Sequence, residues 1–94
     1  MGDKIWDFKY SDGHGGIIEQ KIWIVPRTEQ NPYGYKFSLC YIRDGERLLC
    51  YDNGENKPPH KRFRRKTYPF NFKDPWTLIE DFSNDLEKIR RGDI

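Results

Sequence analysis

The chain has 94 residues, a net charge of +2, 34% charged residues and 35% hydrophobic ones. That length is one small domain and excludes a two-domain enzyme built around a large cofactor cleft. A small chain buries a modest share of its surface, so the 16% of aromatic residues must supply much of the core.

Four stretches read as strands. In Ile5–Tyr10, the rings of Trp6, Phe8 and Tyr10 alternate with Asp7 and Lys9, which is the period of a half-buried strand. Ser11-Asp12-Gly13-His14-Gly15-Gly16 is a turn, and His14 within it is read as structural or free. Ile17–Val25 follows and is stopped by Pro26; Ile18, Ile22 and Ile24 give its cleaner apolar face. Arg27–Gly34 is a polar loop. Tyr35–Arg43 alternates Tyr35, Phe37, Leu39 and Tyr41 against Lys36, Ser38 and Cys40. Asp44-Gly45 is a hairpin signal, and Glu46–Asn53 completes it. The two-residue turn pairs Arg43 with Glu46, sets Leu39 opposite Cys50, and leaves Cys40 opposite Leu49. Free thiols are therefore expected, whereas a turn one residue longer would bring Cys40 opposite Cys50.

The last element is a helix over 75–91. Asp74 suits the N-cap and Pro75 the first helical position. Leu78, Ile79, Phe82, Leu86 and Ile89 form one apolar stripe, while Glu80, Asp81, Asn84, Asp85 and Glu87 are expected to cover the wet side. Gly92 closes the helix, and Arg90 and Arg91 favour its C-terminal dipole. The fold expected is α+β, an antiparallel meander of four to five strands with the helix packed on one face. The opposite face should stay partly apolar, with Trp23, Val25, Leu49 and Tyr51 as candidates for a partner surface.

Charge is distributed unevenly. Residues 1–56 sum to −2 and residues 74–94 to −3, so the segment 57–73 carries +7 with no acid at all. Such a segment, within an expected basic loop 54–73, calls for a polyanion. Phe63, Tyr68, Phe70 and Phe72 are interleaved with its cations. Cations that grip phosphates and rings that stack bases are the needs of single-stranded nucleic acid binding. Lys61, Phe63, Arg64, Arg65, Lys66 and Tyr68 are the expected contacts. The plainer reading is a solvated basic loop whose rings pack on the core.

Metal-free cleavage of RNA requires proton transfer and stabilisation of a pentacovalent phosphate. His60 can move protons near neutrality. Lys57 and Arg62 can offset charge, Asp52 can orient an imidazole, and Tyr51 can stack or donate a proton. The catalytic candidates are thus His60, Arg62, Lys57, Tyr51 and Asp52. Asp52 and Asn53 also suit the end of a strand. Asp52, Asn53, Glu55 and His60 lack the rigid spacing of a metal site, Cys40 and Cys50 lack that of a zinc knuckle, and there is no phosphate-binding glycine loop. No metal and no cofactor are expected.

The chain resembles the TumE-like toxins of prokaryotic toxin–antitoxin modules over roughly residues 5–89. The resemblance runs through Gly16-Ile17-Ile18-Glu19, Ile22-Trp23-Ile24-Val25-Pro26, Tyr35-Lys36-Phe37-Ser38-Leu39-Cys40-Tyr41, Gly45-Glu46-Arg47-Leu48 and Leu78-Ile79-Glu80-Asp81-Phe82. Its most specific part is Tyr51-Asp52-Asn53 followed by Lys57-Pro58-Pro59-His60. Arg62 stands where members tend to carry a second histidine. The resemblance implies a growth inhibitor neutralised by a cognate antitoxin, often a helix-turn-helix protein. The expected function is a toxin acting on RNA as a metal-independent endoribonuclease. The alternatives are a nucleic-acid-binding module without catalysis and a protein-interaction module using residues 57–73. RNA, the antitoxin and a second copy in a homodimer are the partners expected. No apolar run reaches the ~20 residues that span a bilayer, the first residues form no signal peptide, and a cytoplasmic location is expected.

Overall fold

A computed structural model describes residues 2–29, 31–54 and 57–92. Among the described residues, six strands form one antiparallel meander in chain order. They are β1 (Asp3–Ser11), β2 (Gly16–Ile24), β3 (Tyr35–Arg43), β4 (Glu46–Asp52), β5 (His60–Phe63) and β6 (Lys66–Pro69), and α1 (Pro75–Arg91) follows them. The α+β class and, among the described residues, one C-terminal helix are as the sequence indicates. The strand count is not: the basic segment expected to be a loop contains β5 and β6. They turn at Arg64-Arg65, where both residues take positive φ (48° and 71°). That is the backbone of a type I′ hairpin, usually supplied by Asn-Gly, so the composition of this turn gives no sign of it.

Helix α1 covers one face of the sheet. Asp74 caps it as expected, its Oδ1 accepting from the Thr77 N–H at 2.7 Å. Gly92 closes it at φ 77°, its N–H donating to the Ile89 carbonyl. Leu78, Phe82, Leu86 and Ile89 are buried against Ile18, Ile22, Phe37, Leu39, Tyr41, Leu49 and Tyr51. Alternation in β2, β3 and β4 therefore feeds one core. Leu49 and Tyr51 belong to it and not to the opposite face, which is a correction. Phe70 and Phe72 are also core rings. Phe72 stacks on Phe37 at 5.2 Å, and Phe70 meets Tyr51 edge-on at 5.0 Å. Ile24, Phe8 and Tyr10 stay exposed.

The hairpin β3–β4 shows how a correct turn can carry an incorrect register. Arg43 pairs with Glu46, as a two-residue turn requires, and Asp44 and Gly45 both take positive φ. A β-bulge then intervenes: Ile42 faces Arg47 but Tyr41 faces Leu49, leaving Leu48 as the extra residue. Beyond it Cys40 faces Cys50, and the two form a disulfide with Cα atoms 4.2 Å apart. The expectation of free thiols fails because the extra residue lies inside the strand rather than in the turn.

At the β1–β2 turn, Asp12 organises the backbone. Its Oδ1 accepts from His14 N–H (2.7 Å) and Gly16 N–H (3.0 Å), and its Oδ2 accepts from the Tyr41 hydroxyl (2.7 Å). The Tyr41 bond, with the His14 N–H next, lowers the Asp12 carboxyl to about 2. Gly16 is needed here, because a Cβ would come within 2.5 Å of the Tyr41 ring and hydroxyl.

Candidate nucleic-acid interface

Strand alternation divides the candidate residues between two surfaces. Asp52 pairs with His60, and Cys50 with Arg62, on the face that α1 leaves open. The intervening pair, Tyr51 and Lys61, points to the helix. Across β6, Thr67 continues the row of Arg62, while Tyr68 and Lys66 continue that of Lys61 and Phe63.

The open face forms a groove of about 720 Å³. His60, Arg62, Asp52 and Lys57 all line it. Lys21, Lys36, Arg47 and Arg65 line it too, so six Lys/Arg side chains face three carboxylates, Glu19, Glu46 and Asp52. The groove is therefore basic, and its charge comes from β2, β3 and β4 as much as from the segment 57–73. Lys21, Lys36 and Arg47 were not among the sequence candidates. Lys21 and Lys36 occupy the polar positions of the alternating strands. Knowledge of which face the helix takes would have collected them. Trp23 is on this face as expected. Lys4 and Lys36 lie 5.7 and 5.6 Å from its ring, within cation–π range.

His60 has one ring nitrogen beside a backbone acceptor. Its Nδ1 lies 3.1 Å from the Pro58 carbonyl oxygen. A carbonyl only accepts, so a hydrogen bond here places a proton on Nδ1. In the tautomer with that proton on Nδ1, the lone pair is on Nε2. Pro59 is buried and its carbonyl accepts from Phe70 N–H at 3.2 Å, which ties the approach to β5 onto the core. Asp52 Oδ1 accepts from Gly54 N–H at 2.6 Å. Asn53 is structural: Oδ1 accepts from Phe37 N–H at 2.9 Å and Nδ2 donates to the Tyr35 carbonyl at 2.8 Å. It continues the ladder where β4 stops. Among the described residues no three His, Cys, Asp or Glu side chains gather as metal ligands. Glu55, considered with Asp52, Asn53 and His60, lies outside the described residues.

Tyr51 does not join His60. Its hydroxyl donates to Asp85 Oδ2 at 2.5 Å, and Lys61 Nζ reaches the same oxygen at 2.8 Å. Asp85 is 7% exposed. This corrects its expected place on the wet side of the helix: a carboxylate can be buried there because a phenol and an ammonium both satisfy it. Burial first, and the Asp85 bond second, push the Tyr51 phenol far above its ordinary value. Proton donation from Tyr51 to a ligand in the open groove is therefore disfavoured both by direction and by acidity.

The remaining candidates sit at the end of the β5–β6 hairpin. Arg64 lies over the Phe63 ring at 5.0 Å. Arg65 reaches back to Glu46, Nε to Oε1 at 3.8 Å, and lines the groove. Lys61, Phe63 and Tyr68 line a second hollow between the hairpin and α1. No helix among the described residues is long and apolar enough to cross a membrane. Comparison with protein families, with curated proteins and with solved structures returned no match.

Proposed function

We propose that the chain is the toxin of a toxin–antitoxin module and cleaves RNA in the open groove of its sheet. The His60 imidazole carries this reading, with Nδ1 committed to the Pro58 carbonyl in a groove rich in cations. Nε2 is the natural general base. It takes the proton of a ribose 2′-hydroxyl, and the oxygen attacks the adjacent phosphorus. The bond to the 5′-oxygen breaks, leaving a 2′,3′-cyclic phosphate. The ammonium groups of Lys36 and Lys57 line the same groove and can return a proton to the departing oxygen. Arg62, on the strand position two beyond His60, offsets the charge that develops on phosphate. Trp23, flanked by Lys4 and Lys36, offers a ring on which an unpaired base can stack. No metal is required by this chemistry.

The biological setting follows from the resemblance to TumE-like toxins: growth inhibition, relieved by a cognate antitoxin. The expected result is growth arrest with RNA loss on induction of the wild-type chain, and neither with His60→Ala. Purified protein should yield cyclic phosphate ends in the presence of a chelator. RNA binding without cleavage, equal in wild type and His60→Ala, would instead make the groove a non-catalytic single-strand binding face. Cleavage undiminished in His60→Ala would overturn the assignment.

A further inference from the structure

The two edges of the sheet are built differently. β6 has four residues and ends at Pro69, and short length and proline both discourage pairing with another chain. β1 has nine residues and no proline. Its bulge lies near its start, between Lys4 and Trp6, and the run from Trp6 to Ser11 is regular. Along that run Trp6, Phe8 and Tyr10 lie opposite Ile22, Gln20 and Ile18, on the helix side. Phe8 and Tyr10 remain 47% and 49% exposed. Asp7 and Lys9 lie opposite Lys21 and Glu19, on the open face. A long regular edge with exposed rings is a template for another strand.

The sequence of that edge complements itself in one register. Two copies related by a two-fold axis through the sheet keep each face continuous, so only residues of one face can be opposed. Centring the axis on Phe8 sets Phe8 against Phe8, Trp6 against Tyr10, and Asp7 against Lys9, the last two pairs occurring twice. Moving the axis to Asp7 opposes two carboxylates, and moving it to Lys9 opposes two ammonium groups. Cross-strand aromatic and opposite-charge pairs stabilise an antiparallel ladder, while like charges directly opposed weaken it. Asp7 and Lys9 are available for this, with side chains 50% and 68% exposed in their contacts to Lys4 and Glu19.

We propose that β1 is a homodimer interface, closed and isologous, in which two sheets join antiparallel about Phe8. The partner is a second copy of this chain, and the joined sheet has twelve strands with both β1 edges covered. This inference is independent of any action on RNA.

Sedimentation and light scattering over a wide concentration range test it on the full chain. The wild type should reach about twice the 11.4 kDa of one chain. Asp7→Lys, which places like charges opposite each other at both Asp7–Lys9 pairs, should run as a monomer. The swap Asp7→Lys with Lys9→Asp should restore the dimer. The register is read separately by cysteine variants under mild oxidation. Phe8→Cys lies on the axis and should give a covalent dimer, whereas Tyr10→Cys faces Trp6 and should not. A wild type that stays at single-chain mass, a dimer untouched by Asp7→Lys, or equal cross-linking through both cysteine variants would each overturn the proposal.

Discussion

Adjacent residues Lys61 and Arg62 offer the sharpest test of how alternation divides this protein. Both are cations of β5, yet Lys61 faces Asp85 under the helix and Arg62 faces the groove. Lys61→Met keeps most of the aliphatic stem and removes the ammonium. Asp85, with its side chain 10% exposed, then keeps Tyr51 as a partner but loses its counter-charge. Hydrogen bonds to charged groups contribute about 1.5–3 kcal/mol. Lys61 is 30% exposed and already partly solvated, so the loss is discounted to about 1–2 kcal/mol. For a domain of this size that is roughly 5–15 °C in Tm. Arg62→Met touches no core group and should shift stability by no more than about 0.5 kcal/mol. For the proposed RNA cleavage the effects should be reversed: about ten- to a hundredfold lower for Arg62→Met, and close to wild type for Lys61→Met once compared below its Tm. Thermal unfolding followed by circular dichroism, beside cleavage of a single-stranded RNA, measures both. A stable, inactive Lys61→Met with an unstable, active Arg62→Met would refute the division of faces.

The disulfide closes a loop of sequence separation 10, so replacing both cysteines by serine should cost about 2–3 kcal/mol. Reductant should lower the wild-type Tm similarly and leave the double variant unmoved; an equal response in both would remove the bond from the account. Alkaline pH should unfold the protein through its tyrosines. Tyr41 and Tyr51 are both held above their ordinary value, chiefly by burial, so their stabilisation is complete below pH ~10 and is lost as pH rises beyond it. Phenolate absorbance should show these two ionising only with unfolding, and a native fold with all six tyrosines ionised near pH 10 would contradict this. The acid side runs oppositely: Asp12 is depressed to about 2, so its contribution is present above the ordinary carboxylate value and fades as pH falls towards 2.

Sequence alone determined the elements whose signals are local. The alternation of Tyr35–Arg43 needs only its own residues to declare a strand, and α1 carries its cap, its stripe and its terminating glycine within one segment. The Asp44-Gly45 turn was legible for the same reason, since its backbone favours those residue types. The excess of positive charge in 57–73 was equally plain, as was His60 as the histidine nearest to Tyr51-Asp52-Asn53.

Tertiary structure decided everything that depends on register and on which face meets the helix. A bulge at Leu48 costs no special residue, yet it carries Cys40 from Leu49 to Cys50 and so converts two thiols into a disulfide. A turn of two arginines makes a hairpin where composition suggested only a basic loop. Once β5 pairs with β4, successive residues must point to opposite sides. That geometry separates Tyr51 and Lys61 from Asp52, His60 and Arg62, and brings Lys21, Lys36 and Arg47 from distant strands to the same groove. One-dimensional neighbours part and distant residues meet, because a sheet has two faces and only packing against α1 chooses between them.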